Sequence, residues 1–159
     1  MLGPGRPSAH WAPSQGPAVS AKVIDKSRRS IMQEQYPIHT DPEKVDRRRW
    51  VRENLAWIQV AGDGLPQTIA DVVRAIAHLA QPDRVLLFGS RARGDARHLS
   101  DYDLYVEGVR DRNGLRTAVL DSVGYLTLRT VDIVPDFQAS ASLKSEVERE
   151  GKVIYERPN

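Results

Sequence analysis

Residues 84–106 read RVLLFGSRARGDARHLSDYDLYV, and the succession of residue types in this stretch decides the architecture. Val85–Phe88 is a purely aliphatic and aromatic run and, with Arg84, reads as a short buried strand. Gly89 follows at its end, where a residue without Cβ lets the backbone turn tightly. Asp101–Val106 then alternates carboxylates with large apolar side chains, the period of a second strand with one polar edge.

Upstream of this stretch, Pro66 suits a first helical turn, Ile69, Val72, Val73, Ile76 and Leu79 form a helical stripe, and Gln81-Pro82 ends it. Downstream, residues 111–123 read as a helix with Leu115, Val119 and Leu120 inward, although Gly114 and Gly124 blur its ends. Val131–Val134 is a β-branched run and a third strand. Ser142–Glu150 is a last helix with Leu143 and Val147 on one face, closed by Gly151, and Val153-Ile154-Tyr155 is a terminal strand. The order is helix, strand, helical turn, strand, helix, strand, helix, strand, which predicts a small α/β (α+β) sandwich over residues 65–157.

Ahead of it, Thr40-Asp41-Pro42-Glu43 is a helix-start signal. Val51, Leu55 and Ile58 continue at helical spacing, with Trp50 and Trp57 widening the stripe, so an amphipathic helix extension is expected over 40–62. It can pack on its own domain or dock on another protein. Half of the first 20 residues are Gly, Pro or Ser, too little apolar surface to offset ordering entropy, so 1–39 reads as a disordered tail. Met32 is an alternative start.

Composition narrows the function classes. The chain has 159 residues, 40% hydrophobic and 28% charged, as in ordinary globular proteins. No segment approaches the ~20 apolar residues of a membrane span, and the first residues lack the apolar core of a secretory signal. Without cysteine, disulfides and thiolate metal sites are excluded, and a cytoplasmic location is expected. A net charge of +2 is too slight to indicate direct nucleic-acid binding. The placement of charge says more: Arg84, Arg91, Arg93 and Arg97 crowd one stretch, and Asp101 and Asp103 follow at once, an arrangement suited to a polyanion bound through a divalent metal.

If Ser90 opens a short helix, its amide and hydroxyl meet a ligand at the positive end of the helix dipole, which favours phosphate. Arg91, Arg93 and Arg97 can neutralise further phosphate charge. By itself a Gly-Ser pair is an ordinary turn, and no lysine follows at the spacing of a Walker loop. Asp101 and Asp103, two apart on a strand, share a face. Two like charges held that way repel, and one carboxyl pKa must rise unless something offsets the charge. Magnesium or manganese does so, and a metal held by such a pair can orient a triphosphate and neutralise a leaving pyrophosphate. Alone, the pair is equally a solvated turn or an Arg-paired surface strand, but Tyr102 and Leu104 between and beyond the aspartates favour the strand. Asp132 lies in a run that otherwise belongs in a sheet interior, where a carboxylate needs a partner. A metal site on the neighbouring strand would supply one, with Asp132 as third ligand or as base for a hydroxyl. The ordinary alternative is a strand-edge aspartate facing water.

Together these elements resemble one family. Gly89-Ser90, ten intervening residues and Asp101-Tyr102-Asp103 form the GSx10DxD signature of the nucleotidyltransferase superfamily. The fuller string GSRARGDARHLSDYDLYV is similar to its small prokaryotic branch, the minimal nucleotidyltransferases. Val131–Val134 resembles the strand bearing that family's third carboxylate, and Leu143–Tyr155 its last helix and strand. Arg93-Gly94-Asp95 is read as part of the signature rather than as an adhesion tripeptide. The resemblance implies a nucleotidyltransferase fold, a small mixed β-sheet packed with helices. It implies that Gly89 and Ser90, with Arg91 and Arg93, hold the triphosphate of ATP, and that Asp101, Asp103 and Asp132 bind Mg2+ (or Mn2+) and form the catalytic set.

The resemblance also implies attack of an acceptor hydroxyl on the α-phosphate of a nucleoside triphosphate. Little chain lies outside the core to shape an acceptor site, which suits an acceptor that brings its own surface. In the minimal branch this is typically a HEPN-type helical toxin, and the nucleotidyltransferase acts as antitoxin by adenylylating a toxin tyrosine. Two alternatives stay open: a non-catalytic antitoxin acting by occlusion, and transfer to a small molecule of the aminoglycoside kind.

Overall fold

Alternation along the two strands of residues 84–106 sorts the molecule into two layers about one sheet. The computed structural model describes residues 36–37 and 46–159. The chain divides into two compact units, Met1–Pro37 and Ile38–Asn159, and the sheet and its helices belong to the second. Strand β1 (Arg84–Phe88) pairs antiparallel with β2 (Tyr102–Glu107), Arg84 facing Glu107 and Phe88 facing Asp103. Strand β3 (Val131–Pro135) runs parallel to β2, and β4 (Lys152–Glu156) antiparallel to β1 with a bulge between Val85 and Leu86. The order β3-β2-β1-β4 makes a mixed four-stranded sheet, the fold expected from the sequence.

On one face of the sheet Leu86, Phe88 and Tyr105 pack with Val147 of helix α5 (Ala141–Glu150), bordered by Val134, Ala139 and Leu143. On the other, Val85, Leu104 and Val106 are fully buried. Helix α2 (Gln67–Ala80) buries Ile69, Val72, Val73, Ile76 and Leu79, the predicted stripe, and packs against α4 (Arg112–Asp121). Gly114 explains why α4 persists through a glycine: a Cβ there would collide with the Leu79 carbonyl. Asp111 caps this helix by accepting from the Gly114 amide at 2.8 Å. The helix ends in a π-helical turn (Ser122–Leu126), and here one expectation fails. Leu120, predicted inward, is 64% exposed, because Leu115 and Ala118 take the buried face.

The amphipathic helix is shorter than expected. Helix α1 spans Arg47–Asn54, capped by Asp46 accepting from the Arg49 amide at 3.1 Å. Its predicted start at Thr40 and the tail 1–39 lie outside the described residues apart from Tyr36 and Pro37. Its far end stops because side chains take the last carbonyls: Asn54 Nδ2 donates to Trp50 O at 2.9 Å and Trp57 Nε1 to Asn54 O at 3.0 Å. Val51, Leu55 and Ile58 are buried as predicted, while Trp57 stays on the surface. Among the described residues no helix is long and apolar enough to cross a membrane.

Candidate active site

The parallel register of β2 and β3 sets Asp103 beside Asp132. Two residues on, Tyr105 and Val134 are also partners and pack with α5, so by strand alternation both carboxylates leave the sheet on the α5 face. Asp101 lies just before β2, two residues from Asp103, where the Tyr102 amide donates to Thr130 O at 3.0 Å and ties the start of β2 to β3. Among the described residues none of the three carboxylates accepts a hydrogen bond. The consequence falls on Asp103, whose pKa is raised, first by burial and then by the charges of Asp132, Asp101 and Glu146, with Arg93 opposing. Asp132 itself is exposed, because β3 is an edge strand and its run only half-buried. Of the two positions the sequence leaves open for it, sheet interior and strand edge facing water, the structure gives the second.

Gly89 meets this cluster from β1. It has φ +69°, a left-handed conformation, and a Cβ at this position would run into the Asp103 carboxylate. The glycine therefore leaves space at the site for a side chain of the protein's own. Helix α3 (Gly89–Arg93) begins there and closes at Gly94, whose amide donates to Ser90 O at 3.0 Å. The Ser90 hydroxyl is without a partner among the described residues.

The arginines divide. Arg91 Nη2 donates to Ser100 O at 2.8 Å and to His98 O at 3.2 Å, its Nε to Ser100 O at 3.2 Å, and its guanidinium lies 4.5 Å from the centre of the Tyr102 ring. It thereby ties down the 94–101 loop that delivers Asp101. Arg93 reaches α5, with Nη1 donating to Glu150 Oε1 at 2.8 Å, and stays within electrostatic range of Asp103. Arg97 uses its amide to bond Ser100 Oγ at 2.8 Å, and its side chain is exposed.

With this geometry in view, comparison with known proteins is decisive on one point. Residues 71–159, more than half of the chain, match the family described as Polymerase beta, nucleotidyltransferase. The chain belongs to this nucleotidyltransferase family. Among solved structures it is similar to a candidate minimal nucleotidyltransferase, at 32% identity and TM-score 0.43 over 57% of this chain and 98% of that one. It is also similar to a toxin–antitoxin crystallised with AMP-PNP, at 24% identity and TM-score 0.41 over 57% of this chain and 72% of that one. No curated protein matches.

In this nucleotidyltransferase every sequence-predicted site residue falls inside the matched segment. The donor chemistry suits a hard divalent cation: carboxylate oxygens only, desolvated at Asp103 and mutually repelling. Among the described residues, however, no three His, Asp or Glu side chains converge tightly enough to hold a metal by themselves. Any ion bound there needs further oxygens. Sequence reasoning missed Glu146 and Glu150, one helical turn apart on α5, which bring two more carboxylates to the site. Their spacing is visible in the sequence, but nothing in it tells which face of α5 meets α3.

Proposed function

We propose that this nucleotidyltransferase is metal-dependent and transfers AMP from ATP to a hydroxyl, most simply a tyrosine, of a HEPN-type partner protein, acting as its antitoxin. The observation that carries the enzymatic reading is the clustering of Asp101, Asp103 and Asp132, none of which accepts a hydrogen bond among the described residues, with Asp103 against Gly89. Uncompensated like charge is costly unless a cation comes to it. Asp101 and Asp103, with Asp132, would hold magnesium or manganese, the phosphates of the nucleotide supplying the oxygens that the protein does not. Bound there, the ion would neutralise charge on the triphosphate and on the departing pyrophosphate.

The chain's own residues do the rest. Ser90, through its hydroxyl, and the start of α3 hold the phosphates, and Arg93 adds a cation. The acceptor oxygen forms a bond to the α-phosphorus while the bond from that phosphorus to the α–β bridging oxygen breaks. Pyrophosphate leaves, and the proton of the acceptor hydroxyl passes to Asp132, which is exposed and so reachable by a partner's side chain. Positioning of the acceptor then comes from the partner's surface. AMP placed at a toxin's active site adds negative charge that repels a phosphate-rich substrate, a physical route to neutralisation.

Co-expression with the product of the neighbouring gene, followed by intact-mass measurement, tests this. A gain of one or more AMP masses on the partner, abolished by Asp103→Ala, is the expected result. A stable complex without mass gain, fully protective with Asp103→Ala, would overturn it in favour of occlusion.

A further inference from the structure

Helix α5 enters the site through two glutamates that are not equivalent. Glu150, its side chain 14% exposed, accepts from Arg93 Nη1 at 2.8 Å. Glu146, 36% exposed, lies 3.8 Å from the same nitrogen, at ion-pair range only, and its charge also acts on Asp103. A third carboxylate, Asp95, accepts from Arg93 Nε at 3.3 Å. Arg93 thus serves three carboxylates beside an acidic cluster, with Arg149 Nη2 reaching Glu150 Oε2 only at 3.9 Å, a surplus of negative charge that Arg93 does not satisfy. Arg93 is also the last residue of α3, which begins with Gly89-Ser90. Whatever fixes its guanidinium fixes the far end of the turn assigned to the phosphates.

We infer that Glu150 is a positioning residue that holds the Arg93 guanidinium in place for the nucleotide's phosphates, while Glu146 competes with those phosphates for the same cation. The inference rests on the nucleotidyltransferase site proposed above. If Glu150 is lost, Arg93 turns to Glu146 and Asp95 and is withdrawn from the nucleotide. If Glu146 is lost, Arg93 keeps its Glu150 contact and the bound triphosphate loses a repelling neighbour. The two glutamates then act in opposite directions. A clasp that only joined α3 to α5 would lower stability on losing either glutamate and leave affinity alone. Simple removal of negative charge would tighten binding in both cases.

The test is calorimetric titration of the full chain with ATP and magnesium, alongside melting temperature. Arg93→Gln is expected to weaken binding ~10-fold, Glu150→Gln about fivefold, and Glu146→Gln to tighten it about twofold. The exchange of Arg93→Glu with Glu150→Arg re-forms the pair with its charges reversed but leaves affinity as weak as in Arg93→Gln. Glu150→Gln binding as well as wild type, or an exchange that restores affinity, would overturn the inference while Asp103→Ala still weakens binding. Should the wild type not bind ATP with magnesium, or Asp103→Ala bind equally well, the site assignment itself falls and this inference with it.

Discussion

Asp71 and Asp103 carry the same charge in opposite surroundings. Asp71, on α2, is fully buried and accepts from Arg52 Nε at 2.9 Å and Gln67 Nε2 at 3.1 Å, with Arg74 Nη1 at 3.5 Å. Of these donors Arg52 joins α1 to α2, and Arg74 ties α2 to the segment after α1 by donating to Ile58 O at 3.2 Å. Asp103, on β2, is less buried, has no hydrogen-bond donor among the described residues and is surrounded by Asp101, Asp132 and Glu146. A buried charge with its counter-charges in place belongs to the architecture. A charge set among its own kind is left open to something the folded chain does not contain, and the molecule separates these uses between its helical layer and one face of its sheet.

Breaking the helical side should have the largest effect on stability. Asp71→Ala leaves two guanidiniums without their carboxylate, one of them, Arg74, only 17% exposed. Loss of one partner of a buried pair costs about 3 kcal/mol, to be read as a lowered midpoint in urea unfolding. Nucleotide affinity, measured well below that midpoint, should stay at the wild-type value. A matching loss of affinity would mean that the two regions are not separable.

On the site side, Gly89→Ala should come next, at about 2 kcal/mol, since alanine at φ +69° is strained. Its Cβ also displaces the Asp103 carboxylate, so ATP binding with magnesium should be lost together with stability. A third substitution sharpens the reading of Arg91. Arg91→Ala removes three hydrogen bonds to the His98 and Ser100 carbonyls and the stacking on Tyr102, and should cost about 1 kcal/mol. Hydrogen exchange should quicken across residues 94–101 if its role is to hold that loop. A large loss of ATP affinity without faster exchange would return Arg91 to direct phosphate binding.

What could be read beforehand follows from this contrast. The stripe of α2, the buried run of β1 and the alternation of β2 are periodic, and periodicity along the chain is what a sequence displays directly. The glycine and the aspartate pair were marked by spacing, and the sheet brings Gly89 against Asp103. What stayed hidden depends on neighbours in space. The edge position of β3, and so the exposure of Asp132, follows from strand order. The diversion of Arg91 to a loop, the outward turn of Leu120 and the arrival of Glu146 and Glu150 depend on which helix face meets which element. An arginine count beside a glycine does not tell which guanidinium meets backbone carbonyls and which meets carboxylates.

The smallest expected effect is the most telling, because its sign is opposite to the others. The Asp103 pKa is raised in the folded state, by burial first and then by its carboxylate neighbours, so folding favours its protonated form. The stability that goes with this is fully present below the unfolded-state pKa of about 3.9 and is lost as pH rises through the folded-state value. At neutral pH the ionised Asp103 therefore works against folding, and Asp103→Asn, isosteric and neutral, should raise the melting temperature slightly while abolishing metal-dependent ATP binding. Partial exposure of the group screens the effect and keeps the gain small. As pH falls toward 4 the wild-type carboxyl takes up its proton, and the difference between the two melting curves should close. Melting the two proteins side by side from pH 7.5 to 4 checks both features. An Asp103→Asn protein less stable than wild type at pH 7.5 would place a stabilising partner at Asp103 and erase the contrast with Asp71.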